Sequence, residues 1–212
     1  MKYLQMLFFI LIVRPLVAVV LGLDLLGVER LPLQGPAIIA ANHNSHLDTL
    51  TLMSLWPLER LYKVRPIAAA DYFLTNPILS WFSRNIMHII PIDRQRKDRS
   101  VDALAESSES LAEENILLLF PEGSRGEPEK LSSFKSGIAR LTERHPEAPI
   151  IPIFMHGLGK ALPRGTFLLV PFFVDIIIGE PIYWRGSVAA TMQEYEQAMS
   201  KLAEQIDAPP WE

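Results

Sequence analysis

Residues 36–48 read "PAIIAANHNSHLD". The first half is a short apolar run, Ala37, Ile38, Ile39, Ala40 and Ala41, with the length and character of a buried strand. The second half sets His43, His46 and Asp48 within six residues directly behind it. Further apolar runs of strand length occur at 86–92, 116–120, 150–154 and 167–178, and helical patterns at 46–56, 71–84, 100–114, 134–144 and 188–206 alternate with them. Such alternation predicts an α/β fold: a single domain over 31–212 with a mainly parallel central sheet flanked by helices. Pro171 inside the run 167–178 predicts two strands or an edge strand. In "SSFKSGIARL", Ser132 or Ser133 supplies a helix start. The tail "DAPPWE" reads as loose chain, and there is no internal repeat. Ligands of such sheets gather at the carboxyl ends of strands. "NHNSHLD" falls there, and so does "FPEGSRG" at 120–126.

A length of 212 residues suits one good-sized core. The net charge of −4 and pI of about 5.8 lack the basic footprint of a nucleic-acid binder, so no nucleic-acid partner is expected. The absence of cysteine removes disulfides, thiolate nucleophiles and cysteine metal sites, and it fits a reducing cytoplasmic setting. Hydrophobic residues make up 49% and mean hydropathy is +0.18, with the excess concentrated in residues 1–30. From Tyr3 to Val13 only Gln5 is polar; Arg14-Pro15 interrupts, Leu16 to Leu23 is apolar again, and Asp24 follows. No window of about 20 residues is free of charge, as a simple spanning helix prefers, and Pro15 predicts a kink or a helix end. The expectation is an N-terminal membrane-associating segment over 1–30: two short apolar helices that meet at a kink and enter one leaflet or lie at its surface. Arg14 would snorkel towards headgroups. A kinked transmembrane helix and a buried core helix are the alternatives. "VRPL" is a poor cleavage site for a signal peptide.

With His43 in the turn after the strand and Asp48 in the first turns of the next helix, the aspartate can reach back to the imidazole. A carboxylate on one ring nitrogen fixes the tautomer and leaves the other nitrogen as a base. The chain has no cysteine to serve as nucleophile. Ser124 is not in a nucleophile elbow, because Glu122 stands where that turn needs glycine. A histidine–aspartate pair without its own nucleophile implies that the substrate brings a hydroxyl, which attacks an activated acyl group. The bland reading of His43 is a polar turn residue, although Asn42, Asn44 and Ser45 are cheaper helix caps. The sharper rival is a metal site of His43, His46 and Asp48, for a metal-dependent hydrolase; its fourth ligand would come from elsewhere, with His88, His145 and His156 the remaining histidines. In "FPEGSRG", glycines permit close backbone approach to a ligand and Arg125 can grip a phosphate, with Glu122 holding Arg125 or His43 or meeting an acceptor hydroxyl. The bland alternative is a surface turn with a solvated ion pair. The stretch 84–99 is basic; Arg94 follows a strand-like run, whereas Arg96, Lys97 and Arg99 read as a solvated or headgroup-facing surface.

Together these residues resemble the glycerophospholipid acyltransferase family, which contains the 1-acylglycerol-3-phosphate acyltransferases. Asn42, His43 and Asp48 match its first motif, asparagine-histidine, four residues, aspartate. Phe120 to Arg125 matches its third motif with Ser124 in place of threonine, and Phe134, Lys135 and Gly137 match the phenylalanine-lysine-x-glycine that follows. "IIPIF" with Pro152 resembles the fourth. The second, glycine-x-x-phenylalanine-isoleucine-x-arginine, keeps Ile92 and Arg94 but has His88 for the glycine and Pro91 for the phenylalanine. The resemblance implies a membrane-bound transfer of a fatty acyl group from acyl-CoA or acyl-carrier protein to the free hydroxyl of a lysophospholipid. 1-Acylglycerol-3-phosphate is the default acceptor, with another lysophospholipid or glycerol-3-phosphate as the alternatives that the altered second motif leaves open. The resemblance implies His43 as base and Asp48 as its orienting partner, with Arg94, Glu122, Gly123, Ser124, Arg125 and Lys135 in substrate binding. It implies no metal and no cofactor beyond the acyl donor as co-substrate. The partners are then membrane lipids, and the location is the cytoplasmic face of the inner membrane. A non-catalytic lipid-binding protein on the same fold is the remaining alternative.

Overall fold

A computed structural model describes residues 1–70, 76–92, 102–124, 131–162 and 170–206. The elements named below are those of the described residues. The chain opens with helix α1 (Lys2–Val20) and strand β1 (Leu21–Leu26), then β2 (Ala37–Ala41) and helix α2 (Asp48–Ser54). Strand β3 (Val64–Ala69), helix α3 (Pro77–Asn85), strand β4 (Ile90–Ile92), helix α4 (Ala105–Ala112) and strand β5 (Ile116–Leu119) follow. Helix α5 (Gly137–Arg144), strand β6 (Ile150–His156), the one-turn helix α6 (Leu158–Ala161), strand β7 (Phe172–Ile178) and helix α7 (Val188–Ala203) complete it.

The seven strands form one sheet in the order β1-β7-β6-β2-β5-β3-β4. Strands β6, β2, β5, β3 and β4 are mutually parallel; β7 runs antiparallel to β6, and β1 runs parallel to β7. The expected mainly parallel sheet is therefore present. β2 sits at its centre, buried at every position, because alternate side chains serve two cores. Ala37, Ile39 and Ala41 join Phe9, Val13 and Val17 of α1 and Leu52 and Met53 of α2 on one face. Ile38 and Ala40 join Leu111 of α4, Ile138 and Leu141 of α5, and Met192, Tyr195 and Met199 of α7 on the other.

The sequence reading missed two strands. β1 continues an apolar run that reads as helix as far as Leu23, yet the chain turns extended at Leu21 and pairs along β7. β3 is masked by Arg65 and Pro66; the proline is tolerated because that stretch pairs with β5 alone and β4 joins only from Ile67 onward. The run 86–92 is strand only from Ile90. His88 adopts φ +53°, and Ile89 N–H donates back to the Ser83 carbonyl, closing the end of α3. Among the described residues, the strand of the run 167–178 is Phe172–Ile178, and the expected helices 46–56, 134–144 and 188–206 are shorter than read, at Asp48–Ser54, Gly137–Arg144 and Val188–Ala203; residues 100, 101 and 167–169 lie outside the described residues. Residues 71–75 of the expected helix 71–84, the basic residues Arg94, Arg96, Lys97 and Arg99, Arg125, and the tail 207–212 lie outside the described residues.

α1 is one helix rather than two. A π-helical stretch, Phe9–Val13, precedes Pro15, and the Arg14 N–H donates to the Phe9 carbonyl five residues back. The wider turn makes room where the proline ring and its missing N–H would otherwise break the helix. Gln5, Phe9, Val13 and Val17 are buried, while Tyr3, Leu7, Leu11 and Val19 face outward. Arg14 does not snorkel; its guanidinium donates to the Trp56 carbonyl at 2.9 Å. The helix is long and apolar enough to cross a membrane, and 22% of its apolar window is buried against the domain.

Candidate active site

Parallel strands β2, β5 and β6 end side by side, and their carboxyl ends carry the two motifs. Asn42 continues the β2–β6 pairing with its side chain. Its amide donates to the Met155 carbonyl at 2.8 Å and accepts the Met155 N–H at 2.7 Å. Asn44 donates to the same carbonyl at 2.9 Å. These bonds pin the loop that holds His43 to the end of β6.

Asp48 opens α2 and is completely buried. One oxygen, Oδ2, accepts the Asn44 N–H at 2.7 Å and the Ser45 N–H at 2.9 Å, and it lies 2.8 Å from His43 Nδ1. A carboxylate engaged by two backbone donors acts only as an acceptor, so the imidazole proton sits on Nδ1. Nε2 is then the basic nitrogen, and it has no partner among the described residues. The His43 side chain is 21% exposed, and its ring stacks on Phe120 at 4.1 Å between centroids and 13° between planes. Tautomer and ring plane are both fixed while one nitrogen stays accessible.

Glu122 comes from the end of β5 and is buried. Its Oε1 accepts the backbone N–H of His43 at 3.1 Å, and its Oε2 accepts the Ser132 hydroxyl at 2.6 Å. Of the roles open to it from sequence, the structure shows the one in which it holds His43. Ser132 is correspondingly not a helix cap; α5 starts five residues later, at Gly137. Gly123 adopts φ +77°, a conformation that favours glycine, and the end of the Lys135 side chain occupies the space a β-carbon there would take. The Gly123 N–H is bonded to the Phe120 carbonyl at 3.0 Å, and the Lys135 N–H to the Pro121 carbonyl at 2.9 Å. Residues 120–123 and Lys135 are thus held against each other. Ser124 is exposed beside them. Beneath, Phe134 meets the buried ring of Tyr195 edge-on at 5.0 Å. Burial, and then the negative charge of Glu122, push the Tyr195 phenol well above its usual range.

The structure therefore brings together His43, Asp48, Glu122, Gly123, Ser124 and Lys135; Arg94 and Arg125 lie outside the described residues. His46 is exposed whereas Asp48 is sealed, and among the described residues no three histidine or acidic groups converge as metal ligands. The supporting roles of Ser132 and Phe120 and the amide bridge of Asn42 were not read from sequence. Only the Asn42 bridge had a sequence signal, a polar amide directly after a buried strand.

Comparison with known proteins gives the family and the fold. The family model described as "Acyltransferase" matches residues 23–156. The chain is 34% identical over 183 residues to the chloroplastic 1-acyl-sn-glycerol-3-phosphate acyltransferase LPAT1 of Arabidopsis thaliana, covering 85% of this chain and 48% of that one. It is 32% identical over 186 residues to the chloroplastic 1-acyl-sn-glycerol-3-phosphate acyltransferase BAT2 of Brassica napus, covering 87% and 51%. The chain thus spans about half the length of these curated relatives. The crystal structure of the 1-acyl-sn-glycerophosphate acyltransferase PlsC from Thermotoga maritima superposes with a TM-score of 0.73 at 22% identity, over 98% of this chain and 81% of that one. At that identity the likeness establishes the fold.

Proposed function

The chain belongs to the acyltransferase family, and on that premise we propose that it transfers a fatty acyl group from an acyl-CoA or acyl-carrier-protein thioester to the free hydroxyl of 1-acylglycerol-3-phosphate. The observation that carries the reading is the His43–Asp48 pair: a buried carboxylate 2.8 Å from Nδ1, with the opposite ring nitrogen accessible. Nε2 takes the proton of the acceptor hydroxyl as its oxygen attacks the thioester carbonyl carbon. Asp48 stabilises the imidazolium that forms. The tetrahedral intermediate collapses, the carbon–sulfur bond breaks, and the departing thiolate takes the proton back from Nε2. The step balances without a metal or a cofactor. Glu122 holds the backbone of His43, and Lys135, with Arg125 and Arg94, binds the acceptor phosphate beside Gly123 and Ser124. The exposed apolar stripe of α1 rests in the cytoplasmic leaflet of the membrane, so the acceptor enters from the bilayer.

The test offers labelled acyl-CoA and acyl-carrier protein to membranes carrying the chain, with lysophosphatidate, glycerol-3-phosphate and headgroup-bearing lysophospholipids as acceptors. Transfer to lysophosphatidate above the others is expected. Preference for a different acceptor would reassign the substrate, and transfer to none would overturn the reading.

A further inference from the structure

α1 is not the only element with an outward apolar face. α3 lies against it: Phe82 meets Phe8 of α1 edge-on, with centroids 5.1 Å apart and planes at 80°. Phe82 turns inward, while Ile78 is 79% and Trp81 51% exposed. Neither exposure comes from a frayed helix. The Asn76 side chain caps α3, accepting the N–H groups of Ile78 at 2.8 Å and Leu79 at 3.4 Å. The Asn85 amide donates to the Trp81 carbonyl at 2.8 Å. From Pro77 to Ser83 the helix carries no charge, and Arg84 is its first. The two apolar faces adjoin through Phe8 and Phe82.

We propose that α3 is a second membrane-contacting element, with Ile78 inserted below the headgroups and Trp81 in the interface beside α1. The inference rests on the reading of α1 as the membrane face. A bilayer fits the uncharged surface that α3 adds to α1, and tryptophan, with an apolar body and one N–H, favours the interface. The topology gives the contact a purpose. β3 and β4 are parallel, so the chain leaves β3 at the carboxyl edge of the sheet and returns along α3 to begin β4 at the opposite edge. The first turn of α3, with Ile78, therefore lies towards the edge that carries His43. Contact there holds the catalytic edge against the leaflet in which a lipid acceptor resides, which α1 alone would leave free to roll about its own axis.

The chain has no cysteine, so single labels are unambiguous. Full-length Ile78→Cys, Leu11→Cys and Tyr183→Cys would each carry an environment-sensitive fluorophore in phosphatidylcholine–phosphatidylglycerol vesicles containing spin-labelled lipid. Leu11 reports the α1 face. Tyr183 is an exposed control beside Ile182, which bridges to Ile150 at the start of β6, at the far edge of the sheet. The expected result is lipid quenching at position 78 within about two-fold of that at position 11, with the label at 183 in water. Quenching at 11 but not at 78 would overturn the α3 contact while sparing the α1 reading; quenching at neither would overturn both. A label at 78 that is shielded without lipid, together with a dimer lost in Ile78→Ser, would assign the face to a second copy and also overturn the proposal. As a second readout, Ile78→Ser/Trp81→Ser should raise the apparent KM for vesicle-borne acceptor several-fold and leave turnover in detergent micelles unchanged. An equal loss in both settings would contradict a membrane role.

Discussion

Asp48 takes three contacts on a single oxygen, and its other oxygen, Oδ1, is buried without a partner among the described residues. Asp48→Asn keeps the shape but can no longer hold the imidazolium. The turnover rate should fall by about 10³- to 10⁴-fold, by analogy with the loss of the orienting aspartate in other histidine-dependent sites, with a smaller change in acceptor KM. Steady-state kinetics would show this; a KM effect alone would contradict it. This pair was legible from sequence because its geometry is local: six residues, one turn and one helix start contain it. Ser132 was not legible, because its partner Glu122 is fixed only when two loops fold together. His88 is the opposite case. It stands where the family has glycine and keeps a left-handed conformation, which costs a non-glycine residue about 1 kcal/mol. Burial first, then the charges of Arg65 and the N-terminal amine, lower its pKa to about 4. Between the usual value of 6.5 and about 4, the unfolded chain binds a proton that the folded chain refuses, so stability falls as pH falls through that window. His88→Gly should relieve the backbone strain and narrow the drop in melting temperature between pH 7 and pH 4.5. An unchanged gap would count against the assignment.

At the scale of elements, the loop after β2 is held from two sides: by β6 through Asn42 and Asn44, and by β5 through Glu122. Ser132→Ala removes a hydrogen bond to a buried carboxylate and should cost about 1.5 to 3 kcal/mol of stability. It should also lower kcat more than it raises KM, with Ser132→Thr restoring most of the loss. Chemical denaturation and kinetics on the two variants would separate this from a solvent-exposed serine of no consequence, for which neither quantity would move. The elements that sequence identified best were the apolar runs β2, β5 and β6, in which Pro152 of β6 is the one residue that competes with the apolar signal. β3 was hidden by Arg65 and Pro66, whose acceptability depends on a neighbour that joins only at Ile67. β1 was hidden for the reverse reason: an apolar run does not announce where helix gives way to strand, and β7 decides it.

For the whole molecule, α1 is neither a detachable anchor nor an ordinary core helix. Its inner stripe completes one of the two cores, and its outer stripe faces away from the domain. Phe9→Ala should destabilise the fold by about 3 to 5 kcal/mol, while Leu11→Glu should leave the melting temperature nearly unchanged and shift the protein off vesicles in a flotation assay. The reverse pattern would contradict the two-sided reading. The central claim is that His43, set by Asp48, is the base in acyl transfer to a lipid hydroxyl. Its most direct test is the rate of labelled acyl transfer to lysophosphatidate by the wild type and by His43→Ala, both in vesicles and both verified as folded. The account predicts a loss of at least about 10²- to 10⁴-fold in the variant, with membrane binding and melting temperature unchanged. Comparable rates in the two proteins would contradict it.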